Sequence, residues 1–215
     1  MMLPALPDTL GNIRQVFPAV LVSLRGEANA LKLQPVRHAI VILVDGLGAQ
    51  NLAARTALAP TLEKHHSSQM LTSVFPSSTV ANLTSLATGL TPDEHGLFGY
   101  RIFDRDRGEE FNLLSGMDKY SILDYLKQEP LSASNPFNVV TLEAYRDSGF
   151  TRATMHGASH YFADDLQDRF RIAADLTAKD GQVTYLYVPE LDQTAHAFGW
   201  QKSLLAMSSL TLQGN

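Results

Sequence analysis

Residues 75–89 read FPSSTVANLTSLATG and follow a short apolar segment at residues 70–75 that predicts a β-strand. After the turn, the apolar positions recur at helical spacing: Val80, Leu83, Leu86 and Ala87. Gly89 is typical of the position just beyond a helix, so the stretch predicts a strand, a tight turn and a helix. At this turn Thr79 would present an oxygen nucleophile at a helix N-terminus, where backbone N–H groups favour an anion. The ordinary alternative is that Thr79 only caps the helix.

The most continuous apolar run lies at residues 38–44 and is rich in β-branched side chains. Such a run is typical of a central parallel strand that is covered on both faces. The run ends at Asp45 and Gly46, and open α/β sheets bind ligands at the carboxyl ends of their strands. Asp45 is therefore a candidate site residue. The alternative is that it caps the helix predicted over residues 48–56.

A second β-rich run, residues 183–188, leads into a segment that contains Asp192 and His196. Residues four apart share one face of a helix, so these two side chains can hold one metal ion together. The alternative is a hydrogen bond between them or a helix cap. Because Asp45, Thr79 and this pair each follow a predicted strand, we expect them at the carboxyl edge of one sheet.

Strands and helices alternate through the chain, which favours an α/β fold with a mainly parallel sheet flanked by helices. The 215 residues suit one globular domain. Gly149 is expected to end the helix before it. The other predicted elements are a surface helix pair within residues 8–30 broken at Pro18, a helix at 59–66, a hairpin or irregular excursion at 98–114, helices at 121–128, 142–148 and 164–176, and strands at 139–140 and 150–155.

Composition and charge exclude several classes of function. The net charge is -5 and no basic block stands out, so binding to nucleic acid is not expected. The chain has no cysteine, which excludes disulfides and thiolate metal sites. No apolar run approaches the roughly 18 residues of a membrane span, and the N-terminus lacks a signal-peptide pattern. We therefore expect a cytoplasmic protein without a membrane partner.

The other histidines carry weaker signals. His65 and His66 are adjacent, and adjacent side chains point apart on a helix, which favours surface positions. His156 follows a predicted strand, and His160 lies four residues further on. These two could line a pocket or have a structural role.

Four motifs lie in order along the chain, at residues 40–46, 75–82, 88–96 and 189–199. Together they resemble the motifs of the type I phosphodiesterase / nucleotide pyrophosphatase family, which belongs to the alkaline phosphatase superfamily. The resemblance implies an alkaline-phosphatase-like fold and an enzyme that hydrolyses phosphoric esters of the phosphodiester or nucleotide pyrophosphate type. Its substrate would be a small-molecule phosphoric ester or a nucleotide. The run from Phe75 to Gly96 is the most specific part of the resemblance.

The resemblance also assigns roles to individual residues. Thr79 would be the nucleophile that becomes phosphorylated, and Asn82 would donate a hydrogen bond to a phosphoryl oxygen. Asp45 and Thr79 would contact one divalent metal ion, and Asp192 and His196 would hold a second. Both ions are usually zinc in this family. Two such ions can stabilise the attacking and leaving oxygens of an in-line displacement.

The sequence departs from the family pattern in two respects. Ala81 and Leu83 stand where family members often have Pro and His beside the asparagine. The chain also lacks the Asp-His-Gly and the further histidine that complete both metal sites in the family. We therefore expect the N-terminal part of a longer enzyme, a single domain over residues 1–215 that is incomplete at its C-terminus, with residues 98–137 as a candidate insertion over the site. The alternatives are an inactive fragment of such an enzyme, or a phosphomonoesterase, sulfatase or phosphomutase of the same superfamily.

Overall fold

The computed structural model describes residues 11–53, 69–115 and 124–199. Its strands are β1 (Gly11–Asn12), β2 (Ala39–Val44), β3 (Leu71–Thr72), β4 (Arg101–Asp104), β5 (Glu109–Asn112), β6 (Phe137–Thr141), β7 (Ser159–Phe162) and β8 (Val183–Val188). Its α-helices are α1 (Val16–Leu24), α2 (Ala49–Ala53), α3 (Thr79–Thr88), α4 (Pro92–His95), α5 (Gly149–Thr154), α6 (Leu166–Asp175) and α7 (Glu190–Phe198). Short 3-10 turns lie at Ile13–Gln15, Leu131–Ala133, Glu143–Tyr145 and Leu176–Ala178. None of the helices in these ranges is long and apolar enough to cross a membrane.

Four strands form a parallel sheet in the order β2-β8-β6-β7. Strand β6 pairs in parallel with both β7 and β8, and all its residues are buried. At the start of β2, Ala39 N–H donates to Gln182 O at 3.2 Å. Just past its end, Asp45 N–H donates to Val188 O at 3.0 Å, so β2 and β8 are parallel as well. The predicted α/β fold with a mainly parallel sheet is confirmed.

Strand β2 lies at an edge of this sheet, whereas its sequence predicts a central strand. Ile40 is 37% exposed and Ile42 is 47% exposed. The prediction that residues 38–44 are covered on both faces is therefore wrong for the part of the chain that the structure describes. A continuous apolar run identifies a buried or half-buried strand, but it does not fix the place of that strand in the sheet. The central places belong to β8 and β6, which are almost wholly buried.

The described residues divide into two compact units. The first unit holds residues 11–41, 71–115 and 124–186, and the second holds residues 42–53, 69–70 and 187–199. Strands β2 and β8 each contribute residues to both units. The second unit has a small apolar cluster, in which partly buried side chains pack against the buried Leu191 of α7: Val44, Leu47 and Leu52.

Helix α1 is a buried helix of the first unit, and it contains Pro18 in its first turn. Phe17 is fully buried, and its ring contacts those of Phe137 and Tyr185 at centroid distances of 4.9 and 5.6 Å. The predicted surface helix pair broken at Pro18 is therefore wrong. Proline is tolerated in a first turn because the N–H that it lacks would have no helical partner there.

Helix α3 confirms the helix predicted after the Thr79 turn. It spans Thr79–Thr88, and Gly89 follows in the left-handed conformation with φ 76°. The strand in front of the turn, β3, has two residues and pairs with β1 in a separate two-stranded sheet. The expectation that every candidate residue follows a strand of one sheet is therefore wrong for Thr79. Asp45 and Asp192 do follow β2 and β8, which are neighbours in the four-stranded sheet.

Strands β4 and β5 form the antiparallel hairpin predicted within residues 98–114. Asp104 organises its turn, because its carboxylate accepts the N–H groups of Asp106 and Arg107 at 2.9 and 3.0 Å. The Tyr125 hydroxyl also donates to Asp104, and the Arg107 guanidinium donates at 2.7 Å. These donors, Tyr125 first, hold the pKa of Asp104 well below its usual range. One carboxylate thus joins the hairpin turn to the segment around Tyr125.

The sequence prediction around Gly149 is wrong. Gly149 begins helix α5 instead of ending a helix over residues 142–148, and residues 150–154 are helical rather than part of a strand. Ser148 caps α5 by accepting the Thr151 N–H at 3.2 Å. Phe150, at the second position of the helix, is buried. The serine cap and the short amphipathic turn after it favour a helix, and this preference outweighs that of the β-branched residues for a strand.

The remaining predictions have mixed outcomes. Helix α6 confirms the prediction at residues 164–176, β8 confirms the strand at 183–188, and β6 contains the strand at 139–140. Of the helix predicted at 121–128, the structure describes residues 124–128, where residue 124 is in a 3-10 turn and residues 125–128 are not helical. The helix predicted at 59–66, with His65 and His66, lies outside the described residues.

Candidate active site

Thr79 is the first residue of α3, and its neighbour Ser78 is the cap. Ser78 Oγ accepts the Ala81 N–H at 3.2 Å and donates its own proton to Phe98 O at 2.7 Å. Thr79 is half-buried, and its hydroxyl has no hydrogen-bond partner among residues 11–53, 69–115 and 124–199. The alternative that Thr79 merely caps the helix is therefore wrong. Its hydroxyl lies in the first helical turn, where backbone N–H groups favour an anion.

Asn82 lies one turn further along α3 and fixes the backbone on both sides of the turn. Its Oδ1 accepts the Val74 N–H at 3.0 Å, and its Nδ2 donates to Ser78 O at 3.0 Å. An amide nitrogen carries two hydrogens, and the second one has no partner within the described residues. The predicted contact with a phosphoryl oxygen would use that hydrogen and stays a prediction.

Asp45 directly follows β2 and belongs to the second unit. Its Oδ1 accepts the Gly46 N–H at 3.0 Å, and its Oδ2 accepts the Tyr187 hydroxyl at 2.7 Å. Because a carboxylate has about four lone-pair sites, both oxygens can accept further partners. Helix α2 begins only at Ala49, so Asp45 is not its cap. The carboxylate is thus held in a fixed orientation by its own backbone and by a tyrosine of β8.

Gly46 allows the Asp45 turn to lie against the first turn of α7. Its φ is +79°, and a Cβ at this position would lie 3.0 Å from Asp192 Cα and 3.1 Å from Asp192 N. The left-handed backbone and the close approach both favour glycine here. This approach places the charges of Asp45 and Asp192 near each other.

Asp192 and His196 lie one turn apart on α7, as the sequence predicts. His196 Nε2 is 3.5 Å from Asp192 Oδ2, and the His196 side chain is 82% exposed. Burial, and after it the charge of Asp45, raises the pKa of Asp192, while His196 opposes this effect. The two carboxylates therefore repel each other, and added positive charge would stabilise them.

Two carboxylates and an imidazole are ligands that divalent ions accept, zinc among them. The repulsion between Asp45 and Asp192 also fits a cation. Yet residues 11–53, 69–115 and 124–199 contain no group of three or more His, Asp or Glu side chains that could hold a metal ion. The second unit holds three of the predicted ligands, Asp45, Asp192 and His196, and their role as metal ligands stays a prediction. Thr79 and Asn82 lie together in the first unit.

The weaker histidine candidates have structural contacts. His160 lies on β7, where its ring stacks with that of Phe162 at a centroid distance of 6.1 Å, and burial lowers its pKa. His156 is exposed, and its carbonyl accepts the Ser132 hydroxyl at 2.8 Å. The ring contact and burial of His160 favour the structural alternative for that residue, whereas both alternatives for the His156 side chain stay predictions.

The chain matches the family model for type I phosphodiesterase / nucleotide pyrophosphatase over residues 39–209. It belongs to that family. All the candidate residues fall within the matched range: Asp45, Thr79, Asn82, Asp192 and His196.

One curated relative agrees with that assignment, and two solved structures share the fold of this phosphodiesterase-family chain. An uncharacterized pyrophosphatase/phosphodiesterase of Schizosaccharomyces pombe is 28% identical over 197 residues, which cover 86% of this chain and 39% of that protein. Murine ectonucleotide pyrophosphatase / phosphodiesterase 5 has the same fold, with a TM-score of 0.60, 20% identity and coverage of 80% of this chain and 49% of that chain. An inactive threonine-to-alanine variant of the murine protein, in complex with AMP, gives a TM-score of 0.62, 19% identity and coverage of 82% and 50%. The chain thus spans 39% of the curated relative and about half of the solved chains.

Sequence reasoning misses two residues that shape the site of this phosphodiesterase-family chain. Ser78 is one of three successive hydroxyl residues, Ser77 to Thr79, and the run alone does not show which of them is the cap. Tyr187 stands one residue before the end of β8, and only that position indicates a role near the carboxyl edge of the sheet. Its bond to Asp45 depends on the pairing of β2 with β8.

Proposed function

We propose that the protein hydrolyses phosphoric esters by nucleophilic attack of the Thr79 hydroxyl, through a phospho-Thr79 intermediate. The observation that carries the proposal is that Ser78, and not Thr79, caps α3. The Thr79 hydroxyl is therefore available to act as the nucleophile. Membership of the phosphodiesterase family supports this class of reaction. The inactive threonine-to-alanine variant of the murine relative agrees with a reaction that depends on a threonine.

In the proposed reaction, Thr79 Oγ loses its proton and forms a bond to phosphorus, while the bond from phosphorus to the leaving oxygen breaks and that oxygen takes up a proton to depart as an alcohol. Water then attacks the phosphorus of phospho-Thr79, the bond from phosphorus to Thr79 Oγ breaks, and one proton of the water restores the hydroxyl. The N–H groups of the first turn of α3 would hold the negative phosphoryl oxygens. The second Nδ2 hydrogen of Asn82 would donate to one of them, while its other bond keeps the side chain fixed to Ser78.

A Thr hydroxyl is a weak nucleophile at neutral pH and needs activation. The family generally uses divalent metal ions, which would stabilise the Thr79 alkoxide and the charge that develops on the phosphoryl group. We assign Asp45 and Thr79 to one ion and Asp192 and His196 to the other, with zinc as the expected metal. The Tyr187 hydroxyl would orient Asp45 for this role.

The proposed substrate is a small-molecule phosphodiester or a nucleotide pyrophosphate. The AMP complex of the murine relative supports a nucleotide, and the negative net charge of this chain disfavours a nucleic-acid polymer. We also propose that the protein is cytoplasmic and that it forms a single domain, in which residues 98–137 are an insertion.

The test is hydrolysis of bis-p-nitrophenyl phosphate, with and without a chelator. We expect Thr79→Ala to lower kcat by about a thousandfold or more, because it removes the nucleophile. Ser77→Ala removes an exposed hydroxyl from the same turn and should leave kcat unchanged. Full activity of Thr79→Ala would refute the mechanism. Relative rates on p-nitrophenyl phosphate and p-nitrophenyl sulfate distinguish diesterase from monoesterase and sulfatase.

A second candidate function is a chain that binds a phosphoric ester without turnover. The observation that favours it is that the described residues lack any group of three metal-ligating side chains. The purified 215-residue chain would then bind zinc weakly. It would hydrolyse none of the three test esters, bis-p-nitrophenyl phosphate, p-nitrophenyl phosphate and p-nitrophenyl sulfate. Tight zinc binding with turnover would exclude this candidate.

A further inference from the structure

His95 is fully buried and uses both ring nitrogens to join α3 to the segment that follows α4. Its Nδ1 accepts the Leu97 N–H at 3.1 Å, and its Nε2 lies 3.0 Å from Ser85 Oγ. Because Nδ1 is an acceptor, the ring proton of the neutral imidazole is on Nε2, where Ser85 Oγ can accept it. Burial lowers the pKa of His95 to about 4, so the ring is neutral at physiological pH.

The same segment is bonded to α3 a second time, at the start of the helix. Ser78, which caps α3, donates its hydroxyl proton to Phe98 O at 2.7 Å. Ser78 and Ser85 are about two helical turns apart. Residues 95–98, which we call the strap, therefore run along α3 and bond to it at both of these positions.

The strap is itself fixed from its other side. Lys127 N–H donates to His95 O at 3.2 Å. Gly96 has φ +88°, and a Cβ at this position would lie 3.1 Å from Tyr125 O. Helix α4, in front of the strap, begins with a capping box in which Thr91 and Glu94 exchange hydrogen bonds. The strap is thus held by elements on both sides and can act as a support for α3.

We propose that the strap positions the first turn of α3, and with it Thr79, so that Ser78, Ser85 and His95 are positioning residues. The catalytic part of this inference rests on the proposed role of Thr79. Ser78 is the residue next to Thr79, and its carbonyl accepts both the Asn82 N–H and the Asn82 side chain at 3.0 Å. Loss of a strap contact would loosen this residue and shift the neighbouring hydroxyl. A shift of about 1 Å can cost on the order of a hundredfold in rate.

The first experiment compares Ser85→Ala with Thr88→Val. Both changes remove a buried hydroxyl from α3, but the Thr88 hydroxyl donates to Thr84 O and accepts the Leu90 N–H at 3.3 Å, and neither partner belongs to the strap. We expect both variants to melt at a lower temperature than the wild type. Only Ser85→Ala should speed hydrogen exchange of the Ala81 and Asn82 amides, which bond to Ser78, by about fivefold. Only Ser85→Ala should lower kcat, by about tenfold, while KM changes by less than about threefold.

A second pair of variants, at the other end of the strap, decides the question if Ser85→Ala does not fold. Ser78→Thr keeps both the cap and the donor to Phe98 O, whereas Ser78→Gly is tolerated as a cap but has no donor. Amide exchange at Asn82 should be normal in Ser78→Thr and faster in Ser78→Gly.

The outcomes separate this inference from the proposed function. Unchanged exchange and kcat in Ser85→Ala and in Ser78→Gly would overturn the strap while leaving a loss of activity in Thr79→Ala to support the nucleophile. Faster exchange in both variants would show that the strap holds α3 in place. A fully active Thr79→Ala, found together with this faster exchange, would overturn the link of the strap to catalysis and the proposed function with it.

Discussion

The turn in front of α3 and the carboxylate pair of the second unit are built on opposite principles. In the turn, Ser78 and Asn82 make hydrogen bonds of 2.7 to 3.2 Å, and none of these bonds uses the Thr79 hydroxyl. In the second unit, Asp45 and Asp192 carry like charges, and the backbone at Gly46 brings them close.

This difference shows how the two regions respond to change. The turn is complete within the first unit, so it should lose stability whenever one of its contacts is removed or protonated. The carboxylate pair holds a repulsion that a cation would relieve, so it should gain stability when one charge is removed. The predictions that follow test this contrast, and the largest expected effect comes first.

His95 should make the first unit sensitive to acid. Its pKa is lowered from 6.5 to about 4, mainly by burial, so the unfolded chain binds the proton more readily than the folded chain. The contribution of His95 to stability is therefore complete above pH 6.5 and is lost as the pH falls to about 4. The full loss would be about 3 kcal/mol. Among the groups near the ring, the Ala81 carbonyl, Asp93 and Glu94 favour protonation, and Lys127 opposes it.

Urea unfolding between neutral pH and about pH 4 measures this effect. As the pH is lowered, the free energy of unfolding should fall more steeply in the wild type than in His95→Gln, whose side chain does not titrate in this range. Equal slopes in the two proteins would show that His95 does not carry the pH dependence.

Gly46→Ala should disrupt the second unit by about 2 kcal/mol, because it adds both backbone strain and a steric contact. Gly108→Ala is the matched control, since Gly108 has φ +69° and nothing lies within 4 Å of a Cβ there. The control should cost only about 1 kcal/mol. Denaturant unfolding of both variants measures the difference. Equal losses would mean that the approach of Gly46 to Asp192 is not tight.

Much of this contrast can be predicted from the sequence, but not all of it. The strand at residues 183–188 and the helix after Thr79 have strong periodicities and clear ends, and both are confirmed. The Asp192 and His196 pair lies on a helix as the four-residue spacing predicts. These features depend on local sequence alone.

The errors occur where tertiary structure decides. The apolar run of β2 reads like a central strand, yet strand order is set by which strands pair, and β2 is at an edge. Gly149 could end one helix or begin another, and the Ser148 cap decides for the second. The partners of His95 and Tyr187 lie on other elements, so no local pattern indicates them.

Tyr187→Phe should show how much the orientation of Asp45 matters. The change removes a hydroxyl that donates to Asp45 Oδ2 at 2.7 Å and leaves the ring in place. We expect a loss of about 1 to 2 kcal/mol in stability, as for a hydrogen bond to a charged group, and weaker zinc binding by calorimetry. Tyr161→Phe, on β7, is the control and should leave zinc binding unchanged. Zinc binding equal to that of the wild type would argue against an orienting role for Tyr187.

Asp192→Asn gives the smallest effect and the sharpest test of the contrast, because a gain in stability is unusual when a partly buried carboxylate is replaced. In the presence of EDTA, the variant should be more stable than the wild type by well under 1 kcal/mol, since it removes the repulsion with Asp45. Asp168→Asn is the control on α6, where the carboxylate pairs with Arg171 at 2.8 Å, and its loss should be slightly destabilising. Added zinc should reverse the order, because only the wild type keeps the Asp192 carboxylate as a proposed ligand of the ion that it shares with His196. If Asp192→Asn were destabilising in EDTA, the attraction of His196 would outweigh the repulsion by Asp45, and the carboxylate pair would be as complete as the Thr79 turn.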